Sequence, residues 1–266
     1  MNFNDFSCPA CKQKLEYDGK LFNCSCGRTF NMLEDIPDFL VEGKNTREMD
    51  IYFDTVPEYY ESVSYLAGIY KFFGGLSTQP EDLMVPIINS GIQEGLNKIL
   101  NPKDKFILDL GCGTGMYTRS LSREAAHVWG VDISAEMLKQ ATLNIKQENL
   151  ENITMVRADA DSLPFKDSQF HGVSCMGAMQ LFRNIDETLA EIKRVIKDCG
   201  TLAAMTYIKE GVWKDVEHQR YLEKLDIHFF EVKEIENLLK QNGFEKFLYR
   251  INGSMIMFSC TANKSK

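Results

Sequence analysis

The chain has 266 residues, 44% hydrophobic and 26% charged, with a formal net charge of −8 at pH 7. That length accommodates one full α/β domain and a small appendage, and the composition excludes fibrous and disordered classes. The acidic balance weighs against nucleic acid held through phosphate contacts, which calls for a basic patch, and no apolar run reaches the length of a membrane span.

The first residues, Met1-Asn2-Phe3-Asn4-Asp5, have neither the basic nor the apolar region of a secretory signal, so a cytoplasmic location is expected. Four of the eight cysteines fall within the first 26 residues: Cys8, Cys11, Cys24 and Cys26. The other four, Cys112, Cys175, Cys199 and Cys260, are scattered and read as small hydrophobes. Without a secretory signal a disulfide framework is not expected. The pairs Cys8-Pro9-Ala10-Cys11 and Cys24-Ser25-Cys26 look like the knuckles of a zinc ribbon, although the second is one residue shorter than the usual C-x2-C. Zn²⁺ takes four thiolates in a tetrahedron, which two tight turns deliver in pairs. Lys12 to Asn23 has the length of a hairpin with Leu15, Tyr17, Leu21 and Phe22 on an apolar face. So short a module lacks a core, and structural Zn²⁺ would supply its folding energy. A metal-free ribbon and a redox pair are the other readings. Residues 1–40 form this module.

Residues 41–100 are read as a linker and helical lid. Glu42 to Asp50 is polar, and an aromatic-rich, helix-compatible stretch follows, broken at Gly74-Gly75. Asp82 to Leu100 has the apolar spacing of an amphipathic helix, with Pro86 near its start. The aromatic stretch is core packing or a lid, and Tyr52, Tyr59 and Tyr60 are the lid candidates.

The most informative run is Ile107-Leu108-Asp109-Leu110-Gly111-Cys112-Gly113-Thr114-Gly115, a strand feeding a glycine turn and a helix start. Such a turn brings backbone N–H groups close to a nucleotide-like ligand. A dinucleotide fingerprint needs glycine at 111, 113 and 116, but position 116 is Met116. Strand two, Val128 to Val131, ends at Asp132. A carboxylate about twenty residues past the turn can accept both hydroxyls of a ribose diol. Asp132 could also be a helix N-terminal charge, but beside this turn the ribose role is preferred, with Ile133 flanking. Ile153 to Arg157 is strand three and Gly172 to Cys175 strand four, with Met176 to Phe182 a loop at the carboxyl edge, where Met176 and Gln180 are expected to flank a ligand. His171 sits at a strand entry and reads as structural. Ile185 to Ile196 is a helix stopped by Gly200, Thr201 to Tyr207 is strand five, and residues 208–229 form an irregular insertion. A last helix ends at Gly243, and two strands, Phe247 to Ile251 and Met255 to Cys260, close the sheet. This alternation predicts an α/β, doubly wound fold over 101–266.

The D-x-G-x-G-x-G run from Asp109 resembles motif I of the class I S-adenosylmethionine (SAM) dependent methyltransferases, over roughly Asn97 to Cys260. Ala158-Asp159-Ala160-Asp161-Ser162-Leu163-Pro164-Phe165 resembles the same family's segment after strand three. The resemblance implies a Rossmann-like seven-stranded sheet and SAM as methyl donor. It implies a cofactor site from Asp109, Gly111, Cys112, Gly113, Gly115, Asp132, Ile133, Asp159, Ala160 and Met176. Within it Asp159 accepts from the adenine amino group and Ala160 makes a backbone contact. No catalytic base is singled out, and Tyr207, Asp215, His218 and His228 are candidates near the insertion. The preferred reading is methyl transfer to a small-molecule acceptor, of the quinone-biosynthesis type. Zinc ribbons also precede rRNA guanine-N1 methyltransferases, which leaves an rRNA base methyltransferase as the alternative, and a SAM-binding regulatory or partner protein behind it.

Overall fold

A computed structural model of the chain describes residues 5–41, 47–62, 105–209 and 227–265. The predicted helix over Asp82 to Leu100, and Asp215 and His218, lie outside them.

The centre is strand β5 (Phe106–Leu110), which pairs in parallel with β6 (His127–Asp132) on one side and β8 (Phe170–Met176) on the other. Beyond β6 lies β7 (Ile153–Arg157), also parallel. Beyond β8 lie β9 (Ile196–Tyr207), then β11 (Met255–Ala262) and β10 (Phe244–Asn252), with β11 antiparallel to both neighbours. The order β7-β6-β5-β8-β9-β11-β10 is the expected seven-stranded doubly wound sheet.

Alternation along β5 explains why helices cover both faces. Ile107 packs with Val128 and with Leu121 of helix α2 (Met116–Ser122) on one face. Leu108 and Leu110 point the other way, into a core shared with Leu189, Ile192 and Val195 of α4 (Ile185–Val195) and Ile235 and Leu239 of α5 (Val232–Gln241). Helix α3 (Ala135–Gln147) starts where Ser134 Oγ accepts the Met137 N–H at 3.1 Å, a cap worth about 1 kcal/mol. Its apolar face, Leu138, Ala141 and Ile145, packs with Cys112 and Met155.

Two boundaries differ from the sequence reading. Helix α4 is not stopped by Gly200: Ile196 is its C-cap and β9 starts there at once. Strand β9 opens with an irregular turn, Cys199 at φ 59°, and the pairing with β8 shifts register between Phe170 and Gly172. Second, Glu42 to Asp50 is not linker throughout, because helix α1 (Glu48–Thr55) already includes Asp50. The Asp50 carboxylate accepts the Arg47 N–H at 2.9 Å, which fixes the first turn.

The N-terminal residues form short strands β1 (Leu15–Tyr17), β2 (Phe22–Cys24), β3 (Thr29–Leu33) and β4 (Ile36–Asp38), each antiparallel to the next. Their strands are joined to the sheet of the main domain. Strand β4 pairs in parallel with β7 at Asp38 and Arg157, so the sheet continues through eleven strands. Phe6, Phe22 and Phe39 are fully buried and form one aromatic cluster with Phe165 of the main domain. The apolar face read from Leu15 and Phe22 therefore has a partner, which a forty-residue segment could not provide for itself.

Candidate functional site

The glycine turn after β5 shapes the site. Gly111, Gly113 and Gly115 all have positive φ, at 68°, 53° and 78°. At Gly111 a Cβ would overlap Ala178 Cβ in the loop after β8, so two chain segments meet at a separation only glycine permits. The turn's N–H groups are already engaged. Gly111 and Cys112 donate to Val131 O at 2.8 and 3.0 Å, Gly113 to Asp132 Oδ2 at 2.7 Å, and Gly115 to Cys112 O at 2.9 Å. The turn thus contributes clearance beside a ligand, and these four donors hold its shape.

Asp132 ends β6 and reaches across to that turn. Its other oxygen accepts the Ser134 N–H at 3.0 Å. Each carboxylate oxygen keeps a lone pair for a further donor, the requirement for gripping a diol. Burial pushes the Asp132 carboxyl up, against the hydrogen bonds from Ser134 and Gly113.

A cavity, partly open to solvent, lies at the carboxyl ends of β5, β6, β7 and β8. This is where ligands sit in an open parallel sheet. Gly111, Gly113, Asp132, Ile133, Asp159, Ala160 and Met176 all line it, seven of the ten residues singled out from the sequence. Asp109, Cys112 and Gly115 lie behind the wall. Asp109 is fully buried and accepts from Thr118 Oγ1 at 2.6 Å, joining β5 to α2. Burial drives its carboxyl up to about 6, partly offset by the Thr118 bond. Cys112 packs under α3, and Gly115 caps α2. Gln180 is absent from the lining. Its amide is spent internally, donating to Gly177 O at 2.6 Å and accepting from Thr206 Oγ1 at 3.0 Å. His171 accepts the Phe106 N–H at Nδ1 and meets Lys197 at Nε2, at the far end of β8, as a structural residue does.

Helix α1 and the short turn after it roof the cavity. Met49, Asp50, Phe53 and Tyr60 line it, whereas Tyr52 and Tyr59 are 41% and 50% exposed on the outer side. Of the three lid tyrosines, Tyr60 alone reaches the cavity wall. The roof is fastened by polar contacts that local sequence patterns did not signal. Ser134 Oγ donates to Asp54 at 2.5 Å, and Glu61 accepts from Thr114 Oγ1 at 2.6 Å and pairs with Arg119 at 2.6 Å. Arg47 and Arg183 both bind Asp50, at 3.0 and 2.6 Å. Burial pushes Asp50 up, but the Arg47 hydrogen bonds and both guanidiniums hold it below its usual range.

At the N-terminus the Sγ atoms of Cys8, Cys11, Cys24 and Cys26 all lie within 4.8 Å of one another, Cys8 to Cys26 at 3.9 Å and Cys11 to Cys24 at 3.3 Å. Four sulfurs about 2.3 Å from one ion are about 3.8 Å apart, so this cluster has the dimensions of a tetrahedral thiolate site. The short second knuckle does not prevent convergence, because Gly27, at φ 88°, turns the chain immediately after it. A backbone hydrogen bond from Arg28 lowers the Cys26 thiol to about 6, aided by the guanidinium of the same residue.

A doubly wound sheet with a glycine turn, a carboxylate ending the second parallel strand and a cavity over the strand ends defines a nucleotide-cofactor-binding domain. Comparison with known proteins narrows this. Residues 107–200 match the family described as "Methyltransferase domain". An uncharacterized chloroplastic methyltransferase of Arabidopsis thaliana is 30% identical over 167 residues, 58% of this chain and 47% of that protein. The chain thus spans about half the length of that relative. A demethylmenaquinone methyltransferase of Lactobacillus johnsonii is 28% identical over 198 residues, covering 63% of this chain and 81% of the enzyme. In fold, the chain matches the Haemonchus contortus phosphoethanolamine N-methyltransferase 2 solved with S-adenosylhomocysteine, at a TM-score of 0.62 and 16% identity, over 80% of this chain and 60% of that one. The family match covers the central part of the chain, residues 107–200, and both of these sequence relatives are methyltransferases by name.

Proposed function

We propose that the protein transfers a methyl group from SAM to a small, largely apolar acceptor. The observation that carries this reading is the composition of the cavity along its length. At one end stand Asp132, Ile133, Asp159 and Ala160, polar and backbone groups suited to a nucleoside. At the other, Met176, Met49, Phe53 and Leu181 belong to an apolar cluster that continues through Met205, Tyr207 and Met255. An acceptor arriving there meets thioether and aromatic surface, which suits a planar or hydrocarbon-rich molecule. The name of the Lactobacillus johnsonii relative, a demethylmenaquinone methyltransferase, agrees with that chemistry.

In this reading Asp132 accepts both ribose hydroxyls, Asp159 accepts from the adenine amino group, and the glycine turn leaves room for the methionine part. SAM supplies a methyl group on a sulfonium, a leaving group that needs no further activation. The chain's task is to align donor and acceptor in a dry site under the α1 roof. Among the candidate bases, His228 is held by Glu234 at 2.8 Å and half exposed, and Tyr207 is buried in the apolar cluster. Neither is assigned a proton-transfer role.

Zn²⁺ is the ion we assign to the four cysteines, as a closed structural site with no position for substrate. Two cations of the cysteine module are engaged: Lys12 pairs with Glu191 at 2.7 Å, and Arg28 lies beside Cys26. This favours a small molecule over RNA, as does the net charge of −8. The test is transfer of a labelled methyl group from SAM into a fractionated extract of the native host. Label in a small organic fraction is expected. Label in RNA would install the rRNA alternative. Tight SAM binding without label in any fraction would point to the regulatory alternative.

A further inference from the structure

The N-terminal four-strand module grips the segment after β7 on both sides of the residues that line the cavity. On the upstream side, Arg157 O accepts the Phe39 N–H at 2.8 Å, and the Arg157 guanidinium donates to Asp38 Oδ2 at 2.9 Å. The same guanidinium donates from Nε to Ile133 O at 3.0 Å, so it spans from the module to the cavity wall. On the downstream side, Ser162 Oγ donates to Pro9 O at 3.1 Å, inside the first cysteine knuckle. Ser7 N donates to Pro164 O at 2.9 Å, and Phe6 packs on Phe165. Lys12 completes this side by binding Glu191, whose Oε2 also accepts the Leu163 N–H at 2.7 Å. Between the two grips lie Ala158, Asp159 and Ala160, all in the cavity lining. Ala10, Phe39 and Leu40 of the module, with Val41 just after it, wall an adjoining cavity that shares Ile133, Ser134 and Asp159 with the first.

We infer that the Cys8–Cys11–Cys24–Cys26 module is a brace for the adenine end of the cofactor site, so that cofactor affinity and base selectivity depend on the integrity of a metal cluster that never touches the cofactor. The inference rests on the reading of the cavity as the SAM site and of Asp159 as the partner of the adenine amino group. A segment gripped at both ends gives up little conformational freedom when it closes on a ligand, whereas a released one gives up more on every binding event. The selectivity follows from the same geometry. A carboxylate held at a fixed place distinguishes an amino group from a carbonyl, and one on a loose segment can move away from the wrong base.

The test compares the zinc-loaded full chain with the double variant Lys12→Met/Asp38→Ala. Neither residue lines either cavity, and both sit on the module side of the contacts. Two ligands are titrated by calorimetry: S-adenosylhomocysteine and S-inosylhomocysteine, whose base presents a carbonyl where adenine has the amino group. The expected result is an affinity for the adenosyl compound lower by about tenfold, the loss of one or two hydrogen bonds' worth of positioning, together with a smaller preference for it over the inosyl compound. Chelation of the wild-type metal is expected to do the same, with faster amide hydrogen exchange over residues 158–165. Equal loss of affinity for both ligands would mark a general destabilisation and overturn the inference, as would unaltered binding in the variant and in the chelated chain. If the zinc-loaded wild type bound neither ligand, the cofactor reading itself would fall first.

Discussion

Asp132 Oδ2 accepts the backbone N–H of Gly113 at 2.7 Å, across 19 residues of chain. One carboxylate thereby fixes the glycine turn and, through its other oxygen, the first residues of α3. The residue assigned to the ribose is also the residue that shapes the floor beside it.

Asp132→Ala is expected to weaken SAM binding by more than about tenfold, since a desolvated carboxylate–diol pair is worth about 1.5–3 kcal/mol. Asp132→Asn should fall between, because an amide oxygen can still accept from Gly113 while the second lone-pair set is replaced by donors. Calorimetric titration with SAM decides it, and unchanged affinity in the alanine variant removes the ribose assignment.

Gly111→Ala places a methyl group against Ala178 and an L-residue at φ 68°. The two costs are separable. Adding Ala178→Gly should remove the overlap and leave the conformational penalty of about 1–2 kcal/mol. Melting temperatures are expected in the order wild type, double variant, single variant. If Ala178→Gly gives no recovery, the close approach of the two loops is not the constraint.

Asp109 yields a pH dependence of stability. Its folded carboxyl titrates at about 6, above the usual 3.8, because of burial. Between those values the folded state holds a proton that the unfolded state has released. Stability from this group is therefore full below the unfolded value and declines as pH rises through the folded one. Asp109→Asn keeps the shape and cannot ionise. It should gain on the wild type by on the order of 2–3 kcal/mol between about pH 4 and pH 7. Urea denaturation of both proteins across that range would show parallel curves if the prediction is wrong.

The four cysteines are expected to bind one Zn²⁺ per chain, seen as a mass increment in native mass spectrometry. Chelation should lower the melting temperature by about 5–10 °C, because the module's aromatic cluster is continuous with the domain core. Cys11→Ser should lose the ion, whereas Cys199→Ser, at an exposed turn far along the chain, should not.

How much of this was legible in the sequence follows from which interactions are local. The glycine turn, Asp132 and the strand–helix alternation are written in short stretches, and the resemblance they carry implies the seven-stranded sheet. Seven of the ten cofactor-site candidates line one cavity. The other three, Asp109, Cys112 and Gly115, share the motif but face inward, because alternation along β5 and the left-handed turn point them behind the wall. Gln180 reads as a flanking residue by position, yet Thr206, 26 residues on, claims its oxygen. The roof contacts of Asp54 and Glu61, and the pairing of Asp38 with Arg157, join residues separated by tens to more than a hundred positions. No periodicity or motif records such pairs. The cysteine spacing announced a cluster, but not that its strands would be added to the main sheet.

That addition has a consequence for the chain's behaviour in concentrated solution. Without β4, the last parallel strand β7 would present a row of bare backbone donors and acceptors, a template on which another chain could grow. The main domain's opposite margin, β10, exposes Leu248, Tyr249 and Ile251, at 61%, 49% and 47%. Its ladder with β11 is broken between Glu245 and Leu248, with Lys246 at φ 56°. A bulge carrying charge is the usual way to spoil an edge for strand addition. One margin is thus guarded by an irregularity and the other by the strands of the cysteine module. If the four cysteines hold the Zn²⁺ assigned to them, zinc starvation is expected to strip only the second and leave the fold with a sticky side.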